Sequence, residues 1–419
     1  MKRLLYLSYV LLLLLSTILT AGADFTPALD KNTEAEIVVA GSYNNFEALE
    51  AAFDGFQSFY PNVKMSYVKL DEYNKTIKIV ISGEEAPDIY CMQQWMIGRE
   101  DYAFLFDNAV DLADPDLNID LDVIRPGLLY TDPDGKVPML PIFSTTYGFL
   151  VNENIFEKEG LSIPATYTEL INVTEQLKEA GYPGPILGFN SASQMFYSLT
   201  YPDFSARVMD DPEAAAKLNA LDPDAAEYMR PTLTFVKDMV DRGMIDLELC
   251  SRIEDDYQAT ILRFFEGDVP MMIMSGDTVS GTSKRESLSE NFTKFPFKYS
   301  FHAIPSTDNG LYFLNLLNLA FAANKNSSEP EMRNEFIRYL ATTETLNNMA
   351  RIKRLITTSR DFSLDGVYAS FGDFDEAHTI NFRSFSLLDA PLIQIRSAAY
   401  AVANGEMTID EAIAAFGTF

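Results

Sequence analysis

Sulfur and imidazole are scarce in this chain: two cysteines, Cys91 and Cys250, and two histidines, His302 and His378, among 419 residues. Histidines so few and so scattered offer no ligand set for a metal ion. The cysteines leave two readings open, one disulfide in an oxidising compartment or two small buried apolar side chains. Tryptophan occurs once, as Trp95. Positive charge is short as well, with 32 basic residues against 61 acidic ones and a net charge of −29. A field of that sign repels nucleic acid and anionic lipid and favours solubility. No G-x-S-x-G, Walker A, H-E-x-x-H or C-x-x-C motif occurs. Nucleophilic, phosphate-cradling and metalloprotease chemistry therefore lack a recognisable frame.

Long apolar runs are equally rare. One, Leu4 to Leu19, follows Lys2 and Arg3 and precedes Thr20-Ala-Gly-Ala-Asp24. Charged, apolar, then small is the order of a secretory signal, and Ala21-Gly22-Ala23 predicts cleavage after Ala23. The run is short for a membrane span, although an uncleaved anchor is an alternative. Gly22 stands where a lipid-modified cysteine would follow Leu19-Thr20-Ala21, so that thiol chemistry is excluded. The expected product, from Asp24 onward, is exported to a periplasm or the cell surface. Without Lys2 and Arg3 it has 30 basic and 61 acidic residues, a net charge of −31. Its length suits two domains, each with a core of its own.

What is present is an alternation of strands and helices, which predicts α/β layers with largely parallel sheets. Glu36 to Ala40 reads as a buried strand. The helix after it has Asn44 or Asn45 as N-cap, a stripe of Phe46, Leu49, Phe53 and Phe56, and Pro61 as its end. Val63 to Leu70 alternates as a second strand. A helix capped by Asp71 and a third strand, Pro87 to Met92, complete a doubly wound core. Further on, helices are expected from Thr166 or Thr168 to Gly181, around Pro231 up to Gly243, and before the strand Val269 to Met274.

Five stretches in order resemble one family. They are "APDIYCMQQW", "GKVPMLPIFSTTYGFLVNENIFEKEGLSIPATYTEL", "FFEGDVPMMIMSGD", "AANKNSSEPEMRNEFIRYLAT" and "AVANGEMTIDEAI". Together they are similar to the extracellular solute-binding proteins of bacterial ABC importers, of the maltose- and glycerol-phosphate-binding type. The resemblance implies a two-lobed, type II-like periplasmic-binding-protein fold whose doubly wound sheets are joined by a hinge. It implies a monomer that captures a sugar or related polar solute by hinge closure and delivers it to the transmembrane subunits of a permease, without a cofactor. It also implies discontinuous lobes: 24–140 and 302–355 in the first, 141–301 and 356–419 in the second.

Ligands in such sheets bind beyond the carboxyl ends of strands. The candidates are Tyr43 and Asn44 after the first strand, Gln93, Gln94 and Trp95 after the third, and Thr145 in the crossover. Ser193 and Gln194 follow a strand of the second lobe, and Asp277 and Thr278 follow Met274. Amides, hydroxyls and carboxylates can pair with sugar hydroxyls while an aromatic ring covers a C–H face. Each has an ordinary alternative: packing for Trp95, a helix cap for Asp277, a solvated loop for the glutamines. Arg383 is a candidate for an anionic group or for an ion pair. Thr278 and Leu392-Ile393 stand where relatives carry aromatic residues, which favours a small sugar, a derivative or another polar solute as readily as a long oligosaccharide. The competing function is an exported glycoside hydrolase with a carboxylate pair in its cleft.

Overall fold

The computed structural model describes residues 25–83, 86–361, 364, 366–381 and 387–419; the side chain of Tyr257 is also left aside. Residues 1–24, which include the expected signal segment, and Arg383 lie outside the described residues.

Two sheets organise the chain. The larger has seven strands in the order β10-β4-β9-β3-β1-β2, with β11 beside β9. Its members are β1 (Ala35–Gly41), β2 (Val63–Lys69), β3 (Ile89–Met92), β4 (Leu140–Thr145), β9 (Phe313–Ala323), β10 (Ile356–Thr357) and β11 (Thr379–Asn381). The smaller runs β6-β7-β5-β8, built from β5 (Tyr147–Asn152), β6 (Ile186–Leu187), β7 (Met271–Ser275) and β8 (Tyr299–His302). Each sheet has its own hydrophobic core. Ile37, Val39, Ile89 and Phe321 are buried in the first, and Phe149, Phe196, Phe264 and Phe301 in the second.

The expectation of largely parallel sheets is corrected. Pairs β1–β2, β1–β3, β6–β7 and β11–β9 are parallel. Pairs β3–β9, β4–β9, β10–β4, β5–β7 and β5–β8 are antiparallel. The antiparallel strands are those on which the chain passes from one sheet to the other, so they enter against the local winding. One passage is very short: Thr146 alone separates β4 in the larger sheet from β5 in the smaller. The chain returns between β8 and β9, and after β10 it packs a 3-10 stretch, Gly366–Asp373, against β8.

Local chemistry explains most elements and corrects two caps. The helix Glu47–Phe59 buries Ala48, Leu49, Ala52, Phe53 and Phe56, one face of a 3.6-residue period. Its N-cap is Phe46 rather than Asn44 or Asn45, and no side chain caps it. Asn45 instead donates to Glu47 Oε1 at 3.0 Å. The helix Tyr73–Val80 starts after Glu72, which sits at φ 46°, so Asp71 is not its cap. Thr166 does cap the helix Tyr167–Glu179, accepting from Glu169 N at 3.2 Å. Pro231 is the second residue of the helix Arg230–Asp241, in the first turn, where its missing N–H costs no intrahelical bond. The helix Met195–Val208 buries residues on every side, Pro202 included, and so shows no stripe to read.

Cys91 on β3 and Cys250 are free and buried, which closes the disulfide alternative. They belong to different cores. Burial pushes both thiols up, Cys250 to about 12. Among the described residues no helix is long and apolar enough to cross a membrane.

Candidate functional site

The polar ends of β3, β4, β7 and the middle of β9 converge where the two sheets face each other. Two adjoining cavities lie there. An inner one of about 190 Å³ is walled by Gln93, Gln94, Trp95 and Asn318 from the larger sheet's side and by Tyr147, Tyr197, Tyr201, Asp277 and Asp389 from the other, with Thr145 between. A second, of about 320 Å³, shares Tyr147, Tyr197 and Asp277 and is completed by Ser193, Gln194 and Thr278. Eight of the ten candidate residues therefore line two connected spaces. Tyr43 stands one contact behind: its hydroxyl donates to Asn318 Oδ1 at 3.4 Å. Asn44 is exposed and lines neither cavity.

Each side chain is held by something identifiable. After β3 the chain turns through a 3-10 helix, Gln94–Met96. There Trp95 Nε1–H donates to Gln93 Oε1 at 2.5 Å, while the ring edges onto Tyr102 at 5.0 Å. Arg99 lies over the same indole, 5.4 Å from its centre. Gln94 Oε1 accepts from Leu317 N at 2.8 Å, tying this loop to β9. Trp95 thus packs against Tyr102 and lines the cavity at once.

At the tip of β7, Ser275 is the cap: its hydroxyl accepts from Thr278 N at 3.3 Å. The capping alternative for Asp277 is thereby removed, and its carboxylate faces the cavity. Gly276 lets this tip approach the crossover; a Cβ there would come within 2.5 Å of Thr145 Oγ1. The Thr145 hydroxyl is itself buried and has no protein hydrogen-bond partner, an expensive state for a polar atom.

Asp277 links the halves. Its Oδ1 accepts from Asn318 Nδ2 on β9. The carboxylate is open to the cleft, yet protein from both sides replaces bulk water around it. That loss of hydration raises its carboxyl to about 6, against the opposing pull of Asn318 and Lys353. Burial likewise raises Asp389, against Arg99 and Arg396. It also lowers Lys353, whose ammonium sits 4.4 Å over the Tyr43 ring.

Tyr147, Tyr197, Tyr201, Asn318 and Asp389 were not foreseen. Tyr197 and Tyr201 are four apart on one helix, their rings 3.7 Å between centres, and Tyr147 meets Tyr197 edge-on at 4.7 Å. That spacing directly after Ser193-Gln194 was a usable signal, as was a polar residue, Asn318, inside the apolar run of β9. Asp389 is one acid among many and carried none.

A model of the bacterial extracellular solute-binding protein family matches residues 40–346. The chain belongs to this family. Solved structures agree on the fold. The ligand-free form of RafE from Streptococcus pneumoniae superposes with a TM-score of 0.73 at 16% identity, over 93% of this chain and 98% of that one. A sugar transporter protein of Bacillus licheniformis in complex with stachyose gives 0.62 at 17% identity, over 90% and 97%. In sequence, an uncharacterized ABC transporter extracellular-binding protein of Pyrococcus horikoshii is 23% identical over 180 residues, 40% of this chain and 41% of that relative. The sequence match thus spans less than half of the relative's length. As an extracellular solute-binding protein, the molecule has the two-lobed α/β fold; the inner cavity is walled from both sheets' sides, and the second by the smaller sheet's side alone.

Proposed function

We propose that this solute-binding protein serves an ABC importer, capturing a carbohydrate between its lobes and presenting it to a membrane permease. The observation that carries this is the meeting of two kinds of group around one space. Amides and carboxylates come from separate lobes, Gln93, Gln94 and Asn318 facing Asp277 and Asp389. Aromatic faces from Trp95, Tyr147, Tyr197 and Tyr201 stand among them. Hydroxyls need the first set, and ring C–H faces need the second. Two structural neighbours hold raffinose and stachyose in their complexes, which supports the same ligand class. We place the lobe boundaries at Thr146, between His302 and Phe313, and after Thr357. The lobes close over solute by bending at those passages, and Tyr43 approaches it through Asn318 while Asn44 serves the surface.

The test is a thermal-shift and calorimetric screen of the chain from Asp24 against mono-, di- and oligosaccharides, glycerol phosphates and amino acids. A saturable rise in melting temperature with a carbohydrate, and no product released, is the expected result, because a ligand of the native state alone stabilises it. Trp95→Ala should weaken that carbohydrate about tenfold, or ~1.4 kcal/mol, and leave the fold intact. A screen without carbohydrate hits rejects the reading; product release would favour the hydrolase instead.

A further inference from the structure

Beyond Trp95 the site continues into a space of different chemistry. A cavity of about 640 Å³ shares Gln94, Trp95 and Asp389 with the inner polar one. Its other walls are chiefly Ile97, Tyr130, Leu388 and Ile393. Leu388 is 50% and Ile393 38% exposed, a large apolar surface for a soluble chain of this charge. The walls are built rather than loose. Tyr130 is set by Phe106, edge-on at 5.8 Å. The Leu388 backbone N–H donates to Asn219 Oδ1 at 2.8 Å. Arg99 is laid across Trp95 and Tyr102, 5.4 Å from each ring.

A bare sugar is poorly served by such walls. Trp95, Tyr130 and Arg99 share the lining, but Ile97, Leu388 and Ile393 offer neither a flat ring face nor hydrogen bonds, and hydroxyls moved against them would lose water without replacement. An alkyl, acyl or aryl group gains what a hydroxylated ring loses. Continuity through Trp95 and Asp389 puts that group in line with a sugar held by Gln93, Asp277 and Asn318. We propose that the solute is a glycoside or sugar ester whose apolar substituent occupies this outer cavity. The inference rests on the carbohydrate reading above and refines it.

The experiment compares matched glycosides on the chain from Asp24. Methyl, n-hexyl and phenyl glycosides of glucose, galactose, xylose and maltose are titrated calorimetrically, below the concentrations at which the hexyl compounds aggregate. For any sugar that binds, the hexyl or phenyl form should bind at least tenfold tighter than the methyl form. In Leu388→Ser/Ile393→Ser that ratio should fall below threefold, with circular dichroism and melting reporting an intact fold. Equal affinities for methyl and hexyl forms overturn the proposal while leaving carbohydrate capture standing. An undiminished ratio in the double variant also overturns it, since the apolar group then sits elsewhere. If no glycoside binds but an amino acid or glycerol phosphate does, the carbohydrate reading fails first and this inference falls with it.

Discussion

At the scale of single residues, Asp277 concentrates the chemistry of the cleft. Its carboxyl titrates near 6 in the folded chain, above its ordinary value of 3.8. The native state therefore holds a proton that the unfolded state has released, and the difference spans pH 6 down to about 4. In that window the ligand-free protein should gain stability from this group as pH falls, because the penalty for a poorly hydrated charge disappears. Carbohydrate affinity should move the opposite way if the charged carboxylate accepts hydroxyl protons, falling several-fold between pH 7 and 5. Asp277→Asn keeps the contact with Asn318 and should flatten both trends; melting curves and titrations across pH check each. Much of this residue's position could be read from the abrupt polar end of Val269 to Met274. Its elevated titration could not, since that arises from the loss of hydration where residues distant in sequence crowd around it, and it outweighs the lowering by Asn318 and Lys353.

Elements show where sequence patterns inform and where they fall silent. Period-two and 3.6-residue patterns locate β2 and the helices Glu47–Phe59 and Tyr167–Glu179, because one face of each is more buried than the other, while β1 is marked by an apolar run buried on both faces at its end. The helix Met195–Val208 escaped because it is enclosed on all sides. Caps at Phe46 and Glu72 escaped because backbone geometry, not a side-chain acceptor, starts those helices. The site was legible where a loop ends a strand and obscure where a helix face supplies it, as Tyr197 and Tyr201 do. The tip of β7 gives a sharp test of packing. Gly276→Ala would drive a methyl group against Thr145 Oγ1, costing roughly 1–3 kcal/mol in denaturant unfolding. Adding Thr145→Ala should recover most of that loss, since the obstructing hydroxyl had no partner to lose.

For the whole molecule the question is what holds two cores in register. Arg354, at the end of the helix Thr343–Lys353, reaches across the divide. Its Nη1 lies 2.8 Å from the Tyr299 hydroxyl, 2.9 Å from Thr282 Oγ1 and 3.0 Å from Glu286 Oε1, all on the smaller sheet's side. The Tyr368 hydroxyl sits nearby, 3.1 Å from the Gly276 carbonyl. Replacing Arg354 by Met keeps the apolar stem and removes the donors. We expect a loss of about 2 kcal/mol in stability, as for a hydrogen-bonded charged group, and a larger radius of gyration by small-angle scattering without ligand. Tyr299 belongs to β8, which pairs with β5, so this clasp neighbours the β4–β5 junction that the proposed lobe bending would deform. With Thr146 as its only spacer, that junction has no slack. The neighbouring ladder is already irregular, the β4–β9 register slipping on either side of Phe143. Torsion should collect there as it does at the weakest coil of a spring. Deuterium uptake at the amides of Phe143 and Ser144 would then time each opening, a built-in clock for solute release that no added label need disturb.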